Sequence, residues 1–297
     1  VDFPQDLRRF GWKSMAKRIL TLCRARQWIK NILLFAAPFF AGVLSNASLT
    51  LRVAIAFVAF SAASSLGYIL NDWRDQEVDR THPIKKNRPI AARTISKSTI
   101  LLTLAILLIL QFTIEALLPI RFVVLINLYL ITTFSYSLYF KKVAVLEHIL
   151  LSSGFVIRAL AGAEAARVPV SKWFLIVVGF GAIFVVSTKR YAEFQNRSSR
   201  TVRAVLTDYS EAYLQTAINV SMSISLLAYT LWVFEIQHAR TWAELSLLPA
   251  TLGLFRYTWH CERGEAEAPE KLIFEDPILL ISGFLACLCI AVAIYSK

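Results

Sequence analysis

Long apolar stretches, separated by polar loops, run through almost the whole chain. Nine of them lie near the ~20 residues that an α-helix needs to cross a bilayer. They cover residues 28–45, 51–70, 98–118, 122–140, 144–163, 172–189, 212–234, 242–260 and 277–295. The eighth is the weakest, because Arg256 interrupts it. The pattern predicts an all-α integral membrane protein that forms a single membrane domain over residues 1–297.

The polar loops differ sharply in charge. If the N-terminus lies inside, one side of the membrane carries 25 of the 32 Lys and Arg residues and the other side carries six, with Arg158 left within a span. Cytoplasmic loops of membrane proteins are enriched in Lys and Arg. The sequence therefore predicts a cytoplasmic basic N-terminal arm at 1–26, and cytoplasmic cap loops at 71–97 and 187–211.

The net charge of +12 could suggest a nucleic-acid partner. Because 57% of the chain is hydrophobic, the loop charges of a membrane protein explain it more simply. We expect membrane lipids and no nucleic acid as partners. The four Cys residues lack the spacing of a zinc site, and we interpret them as small apolar residues.

The loop after the second stretch concentrates opposite charges. Asp72, Asp75 and Asp79 are spaced i, i+3 and i+7, so they share one face if the second helix continues past the membrane surface. Mg²⁺ commonly binds one or two carboxylates together with substrate phosphate oxygens. With Asn71 as a further oxygen ligand, the spacing predicts a magnesium site. The basic residues that would hold the anionic substrate are Arg74, Arg80, Lys85, Lys86 and Arg88. The alternative is a solvated loop whose charges pair with one another.

The loop after the sixth stretch is basic. Its candidate catalytic residues are Lys189, Tyr191 and Glu193, and Arg190 is a candidate substrate contact. Direct cationic contact with phosphate is one interpretation of this loop. Ordinary charge at the cytoplasmic end of a membrane helix is the other.

Further substrate-binding candidates lie within or beside the apolar stretches. Charge inside a span usually faces a cavity or a partner, so Arg158 is either a phosphate contact, a snorkelling side chain or a partner of Glu164. The other candidates, which generic interfacial residues and an aromatic belt would also explain, are Arg26, Gln27, Lys30 and Asn31 at the first span and Tyr136 and Lys141 at the fourth.

The spacing N-D-x-x-D-x-x-x-D at 71–79, directly after a membrane helix, resembles the first signature of the UbiA-type membrane prenyltransferase superfamily. The resemblance implies a nine-helix transmembrane bundle with polar cap loops, which binds a diphosphate substrate through Mg²⁺. Members that consume a prenyl diphosphate usually carry a second motif, D-x-x-x-D, in loop six. This chain has K-R-Y-A-E at 189–193 instead.

That string resembles the decaprenyl-phosphate phosphoribosyltransferases, one branch of the superfamily. Other strings similar to that branch occur in order along the chain: R-x-R-Q-W-I-K-N at 24–31, H-P-x-K-x-x-R-P-I-A-A at 82–92, S-S-G-F-V-I-R-A-L-A-G at 152–162, K-W-F-L at 172–175, F-R-Y at 255–257 and A-P-E at 268–270. The resemblance therefore covers nearly the whole chain.

The resemblance implies transfer of a 5-phosphoribosyl group from phosphoribosyl diphosphate to a polyprenyl phosphate, for cell-wall arabinan precursor synthesis. It also implies a multi-pass protein of the bacterial cytoplasmic (inner) membrane, with its active site facing the cytoplasm and a homotrimer as a plausible assembly. Two alternatives stay open. One is prenyl transfer to an aromatic acceptor, and the other is a transporter or lipid-binding scaffold.

Overall fold

The structure, a computed structural model, describes residues 5–82, 85–196, 204–236 and 239–296, and omits the side chains of 5–13 and 204. The described residues form helices and connecting loops and contain no strand, which confirms the all-α prediction. The α-helices are α1 (Gln5–Leu22), α2 (Ala36–Phe40), α3 (Ala47–Arg74), α4 (Gln76–Thr81), α5 (Lys97–Glu115), α6 (Ile120–Leu138), α7 (Leu146–Ala166), α8 (Lys172–Gln195), α9 (Glu211–Glu235), α10 (Arg240–Leu245), α11 (Leu247–Glu262), α12 (Pro269–Glu275) and α13 (Pro277–Tyr295). The 3₁₀ helices are Ala25–Phe35, Lys85–Asn87, Phe140–Lys142 and Ala204–Thr207.

Seven of the described helices are long and apolar enough to cross a membrane: α3, α5, α6, α7, α8, α9 and α13. They correspond to the second through seventh and the ninth predicted spans, which are thereby confirmed as long apolar helices. Their outward faces carry exposed large residues such as Ile109 on α5 and Phe284 on α13. Apolar side chains in that position suit contact with lipid tails.

The first and eighth predicted spans are not single long helices, so the count of nine is not confirmed. Residues 25–40 form the 3₁₀ helix Ala25–Phe35 followed by the five-residue α2. The eighth span is divided at Ser246 into α10 and α11. Arg256, which weakened that span in the sequence, lies on α11 with its Nη2 atom 2.8 Å from the Asp276 carboxylate.

Helix α3 packs at the centre of one half of the bundle. Phe60 on α3 is buried between Phe122 and Tyr129 of α6, with ring centroids 5.9 and 5.2 Å apart. Ala161 and Ala165 of α7 belong to the same apolar cluster. Small residues on α7 let neighbouring backbones approach closely, which is how helices associate in lipid.

The second half of the bundle is formed around α8, α9, α11 and α13. Its core includes Phe184 and Tyr191 of α8, Leu214 of α9 and Tyr257 of α11. Charged contacts lie at one end of the bundle. They join the end of α3 to the 3₁₀ helix Phe140–Lys142, α7 to α8, and α11 to the start of α13. Both cap loops, at 71–97 and 187–211, emerge at that end, which we call the polar end. Residues 197–203 of the second loop lie outside the described residues.

Candidate active site

The end of α3 holds two buried carboxylates, Asp72 and Asp79. Arg88 Nη1 lies 3.0 Å from Asp72 Oδ1 and 2.6 Å from Asp79 Oδ2, so one guanidinium bridges both. Arg24 forms a second ion pair with Asp72. The two carboxylates therefore converge on a single position that already holds a cation.

Asp75 points to a different partner, because the helix does not continue straight through the motif. It caps the end of α3 in a non-helical conformation, and α4 begins at the next residue. Its Oδ1 atom contacts Lys141 Nζ at 2.5 Å. The single helical face required one continuous helix, and that condition is not met, because Asp72 lies on α3 and Asp79 on α4. Asp72 and Asp79 nevertheless share Arg88, while Asp75 pairs with Lys141 after α6. Among the residues that the structure describes, no three His, Cys, Asp or Glu side chains form a group that could hold a metal ion.

The other predicted substrate contacts differ in their partners and in their burial. Arg74 donates to the Ser137 carbonyl oxygen at 3.0 Å, at the end of α6, and Arg80 pairs with Glu77 at 2.5 Å. The contact of Arg80 favours the interpretation that the loop charges pair with one another. Three further candidates are half-buried: Asn71 at the end of α3, Lys85 in the loop and Tyr136 on α6. Arg26, at the start of the 3₁₀ helix Ala25–Phe35, is exposed.

Arg190 lies between two carboxylates. Its Nε and Nη2 atoms each donate to Glu147 of α7 at 2.6 Å, and its Nη1 atom donates to Glu193 at 2.8 Å. Arg190 and Glu147 are both almost completely buried. This geometry favours a structural ion pair that joins α7 to α8, and a phosphate contact by Arg190 stays a prediction.

Tyr191 and Lys189 lie on the same helix but have different surroundings. The Tyr191 hydroxyl donates to Glu211 at 3.0 Å and accepts from Gln215 at 3.1 Å, so it faces α9. Lys189 is half-buried and interacts electrostatically with Glu270. Lys189 is therefore the residue of the K-R-Y-A-E string that interacts with the segment between α11 and α13.

Arg158 is buried inside the bundle, and its described polar partners are uncharged. Its Nε atom donates to Asn31 at 2.7 Å, Nη1 to the Gly154 carbonyl oxygen at 2.7 Å, and Nη2 to the Tyr129 hydroxyl at 2.9 Å. Glu164, which the sequence offered as a partner, lies 3.9 Å from Arg121 instead. A buried cation held by neutral groups keeps its full charge available to an anion.

Glu270, which was not among the predicted site residues, lies beside Lys30 and Gln27. Gln27 Nε2 donates to its Oε1 atom at 2.7 Å across 243 positions of chain. Burial raises the pKa of Glu270, but Lys30, Gln27 and Lys189 lower it by more, so it lies below its usual value. The segment that carries Glu270 therefore meets the start of the 3₁₀ helix Ala25–Phe35 in space, although the two are far apart in sequence. The sequence signals were the complementary charge and the A-P-E string at 268–270.

His260 anchors the loop that carries Glu270. Its two ring nitrogens lie 2.5 Å from Glu265 and 2.6 Å from Asp276. The pKa of Asp276 lies well below its usual range, because hydrogen bonds from Leu279 N–H and His260 and the charge of Arg256 outweigh burial. The loop between α11 and α13 is therefore fixed at both ends.

Comparisons with known proteins agree with this architecture. A model of the UbiA prenyltransferase family matches residues 31–287. The chain is 34% identical to a decaprenyl-phosphate phosphoribosyltransferase of Corynebacterium glutamicum, covering 95% of this chain and 88% of that protein. It is 35% identical to the enzyme of the same name from Mycolicibacterium smegmatis, covering 95% and 94%. A UbiA homologue from Archaeoglobus fulgidus, bound to DMAPP and Mg²⁺, shares the fold with a TM-score of 0.71 at 17% identity, over 94% of this chain and 99% of that one.

Proposed function

The chain belongs to the UbiA prenyltransferase family, and we propose that it transfers a 5-phosphoribosyl group from 5-phosphoribosyl 1-diphosphate to decaprenyl phosphate. The relatives of that name support this reaction over nearly the full length of the chain. The observation that carries the proposal is a set of buried and half-buried cations, with Arg24 and Arg88 at the polar end and Lys30 and Arg158 deeper in the bundle. Both substrates are phosphate esters, which Arg and Lys bind through charge-assisted hydrogen bonds.

In the proposed reaction, the bond between C1 of ribose and the diphosphate oxygen breaks, and the diphosphate leaves with the electron pair. A phosphate oxygen of decaprenyl phosphate forms the new bond to C1. The products are decaprenyl-phosphoryl-5-phosphoribose and diphosphate. Because the acceptor phosphate is already an anion, no general base is required, and positioning together with electrostatic stabilisation supplies the rate.

The end of α3 suits a divalent cation. Asp72 and Asp79 are buried hard-oxygen ligands that converge on one cationic group, and Mg²⁺ typically binds one or two carboxylates plus substrate phosphate oxygens. Asn71 and Asp75 are the further candidate ligands. When bound, Mg²⁺ neutralises charge on the leaving diphosphate. Lys189, with Arg88 and Lys85, holds the phosphates of the donor, and Lys141 holds Asp75 in place.

The acceptor phosphate binds deeper, where the 3₁₀ helix Ala25–Phe35 meets α7. Lys30 and Arg158 are the cations of this part of the site, and Asn31 positions the Arg158 guanidinium through the 2.7 Å hydrogen bond. A lipid phosphate reaches this depth while its polyprenyl tail stays among the helices. The acceptor thus approaches from the membrane and the donor from water.

The same proposal includes the location of the protein. It lies in the bacterial cytoplasmic membrane with the polar end facing the cytoplasm, supported by the 25 to 6 distribution of Lys and Arg. Supply of an arabinan precursor for the cell wall is its expected role, and a homotrimer is its expected assembly.

The test uses the purified full chain in detergent with Mg²⁺, radiolabelled phosphoribosyl diphosphate and decaprenyl phosphate. We expect label to move into the organic phase, and to stop doing so when EDTA is added. If no label moves, while the same preparation transfers a prenyl group from prenyl diphosphate to an aromatic acceptor, the proposed reaction is wrong.

A further inference from the structure

Glu270 lies in the first turn of α12, which begins with Pro269. The 2.7 Å hydrogen bond from Gln27 ties this helix to the 3₁₀ helix Ala25–Phe35. Glu270 is half-buried, and it lies within the A-P-E string at 268–270, which the proposed reaction has not used so far. A carboxylate is therefore held at a defined position beside the candidate site.

The groups that face Glu270 come from several elements and are cations or hydrogen-bond donors. Lys30 of the 3₁₀ helix and Lys189 of α8 attract the carboxylate electrostatically. Tyr68 of α3 lies within electrostatic range of Glu270 and of Arg158 on α7. Glu270 thus faces the same space as the cations assigned to the two phosphate substrates.

A carboxylate in this position repels the substrate phosphates, so a favourable role for it requires a hydrogen bond from another part of a substrate. Phosphate oxygens on both substrates only accept hydrogen bonds, and they are suited to the cations. The ribose ring of the donor also carries hydroxyl groups at C2 and C3, which are hydrogen-bond donors. An ionised carboxylate, with two acceptor oxygens, is the side chain that matches two adjacent hydroxyls.

We propose that Glu270 accepts hydrogen bonds from the C2 and C3 hydroxyls of the donor ribose, and so selects a phosphoribosyl donor over a diphosphate without hydroxyls. This inference rests on the phosphoribosyl transfer proposed above. Gln27 orients the carboxylate, and Lys30 and Lys189 keep it ionised while they bind phosphate on either side. A donor without these hydroxyls leaves the Glu270 oxygens with fewer hydrogen bonds, and this difference disfavours that donor.

The experiment compares Glu270→Gln, Glu270→Asp and Glu270→Ala with the unaltered full chain in detergent. The measured quantities are the KM of the donor, the KM of the acceptor and the inhibition constant of inorganic diphosphate, which carries the anion without the ribose. Glu275→Gln is the matched control, because Glu275 is an exposed carboxylate on the same helix that pairs with Lys271 at 3.2 Å. Thermal unfolding of each variant reports on its fold.

We expect Glu270→Ala to raise the donor KM by about tenfold to a hundredfold, the effect of losing hydrogen bonds to a charged group. The acceptor KM stays unchanged, and the inhibition constant of diphosphate stays unchanged or falls. Glu275→Gln leaves all three constants at the values of the unaltered chain. In the unaltered chain, a donor analogue lacking the C2 hydroxyl binds about tenfold more weakly.

The alternative role for Glu270 is that of a counter-ion, which pairs with the cations until a substrate phosphate displaces it. In that case the donor KM and the inhibition constant of diphosphate both fall when Glu270 is removed, and this result overturns the proposal. A donor KM that does not change also overturns it. Equal binding of the C2-deoxy donor to the unaltered chain also overturns it, even if every variant fails to fold. Failure of the proposed function is distinct, because the unaltered chain then transfers no phosphoribosyl group.

Discussion

At the scale of single residues, Asp72 is the position on which the site depends most. It is only 3% exposed and pairs with two arginines whose own side chains are 24% and 25% exposed. Those arginines keep access to water, so they stay solvated if the carboxylate loses its charge. Changing Asp72 therefore separates catalysis from folding more cleanly than changing a fully buried ion pair would.

We expect Asp72→Asn to lower metal-dependent turnover by a factor on the order of a hundred or more, the scale of losing one preorganised electrostatic contact. The fold persists, because the amide has the size of the carboxylate and retains an acceptor oxygen. Turnover is measured with labelled donor across a range of Mg²⁺ concentrations. Glu77→Gln, an exposed change two residues before Asp79, serves as the control, and normal turnover in Asp72→Asn would contradict the metal assignment.

Part of this site was predictable from the sequence, because it depends on short spacings. The sequence placed Asp72, Asp79 and Arg88 in one loop, and Arg88 joins the two carboxylates. The helical i, i+7 spacing does not explain this, because α3 ends at Arg74. The break at Asp75 was not predictable, since no residue there forbids a helix. Glu270 could not be placed either, because its partner Gln27 is 243 positions away.

At the scale of the elements, the contact between α7 and the 3₁₀ helix Ala25–Phe35 depends on Gly162. A Cβ atom built on Gly162 would lie 1.8 Å from the Leu34 carbonyl oxygen, which is backbone and cannot rotate away. The two segments must separate to admit any side chain. The same segments carry Asn31 and Arg158, so this approach also sets the acceptor side of the site.

We expect Gly162→Ala to destabilise the protein by about 1–3 kcal/mol or more, the usual effect of overpacking. Thermal unfolding in detergent measures it. Gly283→Ala on α13 is the matched control, since its Cβ would have nothing within 4 Å and alanine favours a helix by roughly 0.5–1 kcal/mol. Equal unfolding temperatures for the two variants would contradict the close approach.

The pair between Arg190 and Glu147 gives a second prediction at this scale. We expect Glu147→Gln to reduce stability by about 3–5 kcal/mol, because it leaves the buried Arg190 charge with too little compensation. The double variant Glu147→Leu with Arg190→Met recovers much of that loss. If Glu147→Gln instead unfolds normally and only raises the donor KM, Arg190 belongs to the binding site.

The helices, like the site residues, were predictable from the sequence only where the signal is local. Seven spans were predictable because their apolar length exceeds that of most soluble helices. The division at Ser246 was not, since hydropathy averages over a break of one residue. Nor does the residue type of Arg190 tell whether it faces a substrate or Glu147, because both partners are anions.

At the scale of the whole molecule, the distribution of charge predicts orientation. We expect Lys86→Cys to react with a membrane-impermeant thiol reagent in inverted vesicles and not in intact cells, and Arg121→Cys to show the reverse. Both side chains are exposed, at opposite ends of the bundle. The unaltered chain, with its own four cysteines, gives the background of labelling. Reactivity in the opposite preparations would place the polar end on the outer side.

The 3₁₀ helix Ala25–Phe35 also determines the length of the segment 25–40 along its axis. A 3₁₀ helix rises about 2.0 Å per residue, where an α-helix rises about 1.5 Å. Its 11 residues therefore extend about 22 Å, and the five of α2 add about 7 Å. Together they match a hydrocarbon core of about 30 Å with fewer residues than an α-helix needs. Hydrogen bonds from Trp28 to Ser65 and from Asn31 to Ser61 brace this stretched segment against α3. Residues 25–40 thus have the length of a membrane span, with Gln27 near the start of the segment at the polar end and Lys30 about 10 Å along it.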